Sequence, residues 1–441
     1  MPKTEIAGWG NHPKTQAEFA EPASEADVSG LQRNLKSLIP RGAGRSYGDA
    51  SLGSNILSTV KLNRTLSFDL HSGIICCQAG KMFSDILDEI VPNGFFLPVT
   101  PGTKFITVGG AIAADIHGKN HHVDGCFSEH VLSFRMIKAD GAVVNCSRNE
   151  NPQLFWATVG GMGLTGFILD ATFKLKRIST SKIAKRTIKC ENLKTLVERL
   201  IEHENHTYSV AWIDCDKAGK NMGRAILNLG EHATEGESEL GSFRTPGSLI
   251  SLPFNLPNWT LNRLTVKSFN TLYYAKELKQ DHQSITDFEP FFYPLDAIGN
   301  WNRLYGSNGF VQYQFVIPMQ HADKGLHDIM KVITQSSESS FLAVLKLFAE
   351  QNEGWLSFPK KGVTLALDFR ANERTFKLLD SLDGMLNEME GRSYLAKDAR
   401  MKPDFFASGY PKLGQFKQLL KEIDPDGKFR SLQSDRLGIT A

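Results

Sequence analysis

The chain has 441 residues, 41% hydrophobic and 22% charged, with 50 Lys and Arg against 48 Asp and Glu. That length serves two domains or one elaborated domain with ample core, and the composition excludes disordered, collagen-like and disulfide-framework classes. A net charge of +2 makes no one-signed field, so nucleic acid is not an expected partner. The cysteines Cys76, Cys77, Cys126, Cys146, Cys190 and Cys215 form no C-x-x-C pair and read as free thiols of a reducing compartment. The first residues, MPKTEIAGWGNHPK, lack an apolar signal core, and no apolar run approaches a membrane span. A cytoplasmic protein is expected.

From Ile39 to about Leu175, glycine alternates with short β-branched runs. Gly73–Gly80, the Phe134–Val144 stretch and Phe167–Leu175 read as strands bounded by turn residues. Met82–Ile90 puts Phe83, Ile86, Leu87 and Ile90 on one helical face, and Pro152 suits the first turn of a second helix. After Lys185 the texture changes to a helix over Leu193–His203, then strands at Tyr208–Ile213 and Arg224–Asn228. Glu231–Leu261 is polar, then interrupted by prolines, and reads as a long excursion. Strands at Phe310–Ile317 and Gly362–Phe369 are expected, with helices at Leu326–Thr334 and Glu373–Glu390. A strand at Ser393–Leu395 and a helix over Leu413–Ile423 close the pattern. The class is α+β.

Three glycine-bearing stretches suggest chemistry. In Pro40-Arg-Gly-Ala-Gly-Arg-Ser-Tyr-Gly-Asp49, spaced glycines let successive N–H groups turn toward one anion, while the plainer reading is a simple turn. Thr100–His122 combines a Pro-Gly turn, the Gly109–Gly110 pair and small alanines, which admits a flat ligand close to the backbone. His117, His121 and His122 do not make a zincin, because Gly118 stands where that motif has glutamate, so no metal is expected. Gly160–Gly166 contains a literal G-x-G-x-x-G, yet a helix precedes it and a strand follows. That order is inverted for a nicotinamide fingerprint, which is therefore rejected. Composition and spacing reach an extended, phosphorylated, planar ligand and stop there.

The text PRGAGRSYGD, TPGTKFITVGGAIAADIHGKNHH, QLFWATVGGMGLTG, IGNWNRLYGSNGFVQYQFVIP, LSFP and YLAKDAR resembles the FAD-linked oxidases of the vanillyl-alcohol-oxidase and p-cresol-methylhydroxylase superfamily, in particular its decaprenylphosphoryl-ribose 2′-oxidase-like branch. The resemblance implies a two-domain FAD-binding fold of the PCMH type. Residues 1–178 and 392–441 would form the FAD domain, and residues 179–391 an inserted sheet-and-helix substrate domain. It further implies that Arg41, Gly42, Ala43, Gly44, Arg45, Ser46 and Tyr47 hold the cofactor, with Gly102, Thr103, Thr107, Gly109, Gly110, Ala111, Ile116, Gly118, Asn120 and Tyr394. Lys119, Gln312, Gln314 and Lys346 would bind substrate, and Lys397 and His117 would be catalytic.

Many superfamily members carry a flavin-linking histidine in the first loop; Arg45 stands there, so non-covalent FAD is implied. Ala366 stands where mycobacterial members carry a cysteine, so covalent trapping by nitro-aromatic inhibitors is not expected. The implied activity is oxidation of a secondary hydroxyl on a lipid-linked phospho-sugar, the first half of an epimerisation in cell-wall arabinan synthesis. A short-chain dehydrogenase-type reductase would be the partner. The uncharged stretch 245–262, with Leu252, Phe254, Leu256 and Trp259 beside Arg244, Arg263 and Lys267, is a candidate peripheral contact with the inner membrane. A soluble polyol or aldonolactone oxidase, or a flavin-binding protein without turnover, are the rival readings.

Overall fold

A computed structural model describes residues 3–234, 250–257 and 260–440. Near the N-terminus, Lys3–Ala7 and Lys14–Ala20 pair antiparallel, and Lys14–Ala20, Asn55–Ser58 and Ile39–Arg41 continue as parallel neighbours. A second, wholly antiparallel sheet runs Thr65–Asp69, Ile74–Gln78, Phe167–Lys174, Val131–Ile137, Val143–Ser147. Cys77 is buried in it while Cys76 is only partly so, as period-two alternation requires. The helix Phe83–Ile90 lays Phe83, Ile86, Leu87 and Ile90 into the core beside that sheet. The stretch from Phe134 to Val144 is a hairpin rather than one strand, because Asp140-Gly141 makes a turn with Gly141 at φ +87°.

The largest sheet has eight antiparallel strands in the order Asp281–Asp287, Lys182–Cys190, Ala225–His232, Tyr208–Ile213, Ala343–Phe348, Gly362–Arg370, Phe310–Pro318, Arg392–Ser393. Helices Leu193–Glu202, Ala322–Gln335 and Glu373–Glu388 pack on it through Leu196, Leu200, Leu326, Ile329, Leu379 and Leu382. Alternate positions of its central strands, Tyr313, Phe315, Leu345, Leu365 and Leu367, are buried in the same core. The intervening positions therefore face the other way, and that second face is polar: Gln312, Gln314, Lys346, Thr364 and Asp368. Register sets these side chains in rows, with Gln312 beside Asp368, Gln314 beside Ala366 and Lys346 beside Thr364.

After Ser393 the chain returns to the N-terminal sheets. Leu38 N–H donates to Lys428 O and Leu432 N–H to Leu52 O, and Tyr47 N–H reaches Ala396 O. Arg436 Nη2 bridges Asp49 Oδ1 at 2.8 Å and Asp398 Oδ2 at 2.7 Å. This clamp presses the first glycine loop against the turn that bears Lys397. Gly48 is required there, since a Cβ at that position would strike the Asp398 backbone carbonyl.

Ala225–His232 runs four residues beyond its expected end, so Glu231 and His232 belong to a strand rather than to the excursion. Leu395 likewise lies in a 3-10 turn, Leu395–Lys397, instead of a strand. Within the expected excursion, residues 235–249 and 258–259, including Arg244 and Trp259, lie outside the described residues. No helix among the described residues is long and apolar enough to cross a membrane.

Candidate active site

One cleft, with about 290 Å³ of cavity volume, runs between the glycine loops and the polar face of the large sheet. Its walls include Arg41, Gly42, Ala43, Gly44, Arg45, Ser46, Tyr47, Gly102, Thr103, Thr107, Gly109, Gly110, Ile116 and Tyr394. His117, Gln312, Gln314, Lys346 and Lys397 close the end nearest the sheet.

Four residues expected to touch ligand do not line it. Ala111 is buried on the far side of the short helix Val108–Ala113, and Gly118 packs against Thr100 O and Asn120. Asn120 spends its amide on Pro98 O and Asp124 Oδ2. Lys119 turns away, with its ammonium against the Phe291 carbonyl and 4.7 Å from the Phe291 ring centroid. These four support the cleft from behind.

The two glycine loops meet at Gly42 and Thr107. Thr107 caps the helix Val108–Ala113 by accepting from Gly110 N–H at 3.3 Å, and a Cβ on Gly42 would collide with that hydroxyl. Gly44 adopts φ +67° with the Arg41 guanidinium packed against it, and Arg41 Nη2 donates to Ala7 O at 2.7 Å. Backbone, not side chain, therefore faces the cleft along this edge. Arg45 stacks its guanidinium 3.9 Å over the Trp9 ring centroid and is attracted by Asp296. Apolar Ile106, Ala113, Ala114 and Ile168 line the middle, and Tyr394 is fixed by its hydroxyl donating to Ala114 O at 2.7 Å and by stacking on Phe358. N–H-rich loops at one end and apolar walls beyond them fit the pyrophosphate and planar ring of FAD.

At the sheet end, the amide and hydroxyl orientations set one connected hydrogen-bond network. Thr364 Oγ1 donates to Phe315 O at 2.8 Å, so it accepts from Gln314 Nε2 at 3.3 Å. The Gln314 amide N–H also faces His117 Nε2, at 3.0 Å, which accepts in this arrangement. In the same arrangement His117 Nδ1 carries the proton, 3.1 Å from Lys346 Nζ, and Lys346 accepts it as a free amine. Burial, with Lys397 nearby, pushes Lys346 down to about 7, and burial beside Lys346 holds His117 well below its ordinary value. Both ring nitrogens of His117 are thus engaged.

Lys397 Nζ sits 3.8 Å from the Tyr47 ring centroid, and among the described residues no hydrogen-bond or ion-pair partner faces it. Burial pushes it down to about 7, opposed by attraction to Asp368. Asp368, fully buried, is pushed up by the same desolvation and accepts from Gln312 Nε2 at 2.5 Å. Asp368 was not among the expected site residues. Its place in the alternation with Gln312 and Gln314 was the available signal, and an isolated strand aspartate gives no other. His121 and His122 find separate partners, Ala349 N–H and His206 O, and share no ligand with His117.

Residues 17–147 match the family model described as FAD binding domain, and residues 307–437 match that described as D-arabinono-1,4-lactone oxidase. With the cleft just described, these define an FAD-dependent oxidoreductase. The decaprenylphosphoryl-β-D-ribose oxidase of Mycolicibacterium smegmatis is 35% identical over 450 aligned positions, 98% of this chain and 97% of that enzyme. An uncharacterised Streptomyces coelicolor protein is 31% identical over 80% of this chain and 99% of its own. Mouse L-gulonolactone oxidase is 29% identical over 35% of this chain and 36% of its own length. The chain belongs to the decaprenylphosphoryl-β-D-ribose oxidase family.

Proposed function

We propose that the protein oxidises a secondary hydroxyl of a polyprenyl-phosphoryl ribose to the keto-sugar, as the first half of an epimerisation serving cell-envelope polysaccharide. The observation that carries this reading is the kinship along the whole chain, joined to a polar sheet face at the ring-binding end of the cleft. In this reading residues 1–178 and 392–441 bind FAD, and 179–391 form the substrate domain. Arg41–Ser46, Thr103, Thr107, Gly109 and Gly110 cradle the pyrophosphate, and Tyr47 and Tyr394 bracket the ring. FAD is held without a covalent bond, because Arg45 offers no nucleophilic ring nitrogen. When bound, FAD supplies the hydride acceptor.

Gln312, Gln314 and Lys346 orient the sugar and its phosphate. Lys397 takes the hydroxyl proton: its amine has a free lone pair near neutrality, whereas His117 has both nitrogens engaged. The ammonium that results stands beside the ring as negative charge develops there. A short-chain dehydrogenase-type reductase then returns hydride from the opposite face of the keto-sugar.

The lipid tail calls for a bilayer contact at the inner membrane, and one surface suits it. Leu264 (74% exposed) and Leu272 (71%) lie on the outward pole of helix Arg263–Ala275, with Phe254 (65%) nearby in sequence. From Ile250 to Lys276 there is no Asp or Glu, but Arg263, Lys267 and Lys276. Segment Ile250–Ser251 pairs with Ile298–Gly299, just before cleft-lining Trp301.

Anaerobic mixing of the holoprotein with a polyprenylphosphoryl-ribose is expected to bleach the flavin. Reduction by an aldonolactone or polyol alone, with peroxide formed in air, would establish the lactone-oxidase reading that the second family model favours.

A further inference from the structure

The edge of the large sheet is incomplete beside Lys397. Strand Arg392–Ser393 pairs with Phe310–Pro318 at Phe315 and Val316, and Tyr394 N–H still donates to Gln314 O at 2.9 Å, after which the chain peels away into the Leu395–Lys397 turn. The edge along Val311–Tyr313 is left with a gap bordered by Gln312, Gln314, Tyr394 and Lys397, which also line the cleft, and by Tyr313, Ser393 and Arg400, which do not. About 10 Å³ of that gap is open to the centre of a water molecule, enough for about one. Ser393 Oγ, buried in this wall, makes no hydrogen bond of good geometry but lies close enough to the Tyr313 phenol to interact with it.

The far side of the gap leads outward. Tyr313 points to the helical face of the sheet, opposite Gln312 and Gln314, and its hydroxyl donates to Asp383 Oδ1 at 2.8 Å. Arg400 Nη2 contacts Asp383 Oδ2 and lies 2.8 Å from Asp380 Oδ1, whose side chain is 40% exposed.

We propose that this edge gap is the proton exit of the active site, from Lys397 through one water held by Ser393 to Tyr313, then Asp383, then solvent at Asp380. The proposal rests on the reading of Lys397 as proton acceptor. In the oxidation the substrate C–H bond breaks with its electron pair leaving as hydride to FAD, the O–H bond breaks with its proton going to the Lys397 amine, and C=O forms. Lys397 returns to free amine by protonating the water. The water passes a proton to Tyr313 Oη as Tyr313 hands its own to Asp383, and Asp383 releases it to solvent. Tyr313 ends as it began.

In the proposed reading the substrate sits in the cleft that Lys397 lines, so the proton needs a way out on the other side. Asp383 suits the last step, since burial pushes it up to about 7 against the opposing Arg400, with Tyr313, Asp398 and Asp380 as its other polar neighbours and Lys402 paired to Asp380. Tyr313, Asp383 and Ser393 are positioning residues, remote from the reacting carbon.

The test is a single turnover of the holoprotein with polyprenylphosphoryl-ribose in weak buffer, following flavin bleaching and an indicator dye together. In the parent, proton release keeps pace with bleaching. In Tyr313→Phe, and independently in Asp383→Asn, bleaching persists while release lags by roughly tenfold or more; Asp383→Glu restores the pace. Release in step with bleaching in either flavin-loaded variant overturns the exit. So does an equal slowing of both signals, which would mark Tyr313 as packing alone. The Lys397 reading fails separately, if Lys397→Ala bleaches at the parent rate.

Discussion

Gly42→Ala is the sharpest perturbation of the cofactor groove. The new methyl would lie inside 3.0 Å of Thr107 Oγ1, far within the 3.4 Å of ordinary contact, so the Thr107 side chain must rotate. Rotation removes the cap on Gly110 N–H, worth about 1 kcal/mol, and crowding at a packed joint adds about 1–3 kcal/mol. The free loops can splay apart, but the cofactor-holding geometry cannot, so the cost of about 2–4 kcal/mol falls on FAD binding. That is a Kd raised roughly 30- to 900-fold. Equilibrium titration of apoprotein with FAD measures it, with Gly414→Ala, where a methyl meets nothing, as control. Thr107→Ala alone should weaken binding about fivefold. In the double variant the obstructing hydroxyl is gone, so binding should recover to within about tenfold of the parent. Parent-like affinity in Gly42→Ala, or a double variant worse than either single, would refute the argument.

Acid precipitation should leave yellow flavin in the supernatant; flavin in the pellet would mean a covalent link somewhere other than position 45. Lys397→Ala should retain FAD yet bleach with substrate roughly 10²- to 10⁴-fold more slowly, and an unchanged rate would show Lys397 miscast. Because Lys397 acts as free amine and is held down to about 7, bleaching should be slow below that pH and rise through it. A flat profile from about pH 6 to 8 removes the lysine from proton transfer. Leu264→Ser with Leu272→Ser should abolish flotation with anionic vesicles while FAD content stays unchanged; equal flotation would clear this helix of membrane contact.

Elements built on local periodicity were plain in the sequence. Leu413–Ile423 and Tyr208–Ile213 fall where the pattern put them, because each pairs a clear apolar repeat with a clear stop. Lys3–Ala7 and Lys14–Ala20 escaped notice, since Lys, Thr, Glu and Gln side chains fill much of both strands of this small, half-exposed sheet. Helix Arg263–Ala275 was equally opaque: its buried face is carried by Val266 and Asn270, while leucines point outward, reversing the usual pattern. The glycine loops were legible because close backbone approach leaves few alternatives to glycine. Asp368, Trp9 and Asp296 were not, because their importance arises only when strands or loops remote in sequence come together.

The clamp of Arg436 on Asp49 and Asp398 also sets a timetable for biosynthesis. Its two ends are separated by 387 positions. At about 5–20 residues per second, Arg436 leaves the ribosome's catalytic centre roughly 20–80 s after Asp49. For most of that interval the first glycine loop exists without the turn that carries Lys397, and for the rest without the arginine that holds the two together. A nascent chain can fold its N-terminal sheets early, but it cannot yet offer the whole cofactor groove. FAD capture is therefore a late event, and ribosome-bound intermediates halted before residue 436 should stay colourless however well their early sheets have formed.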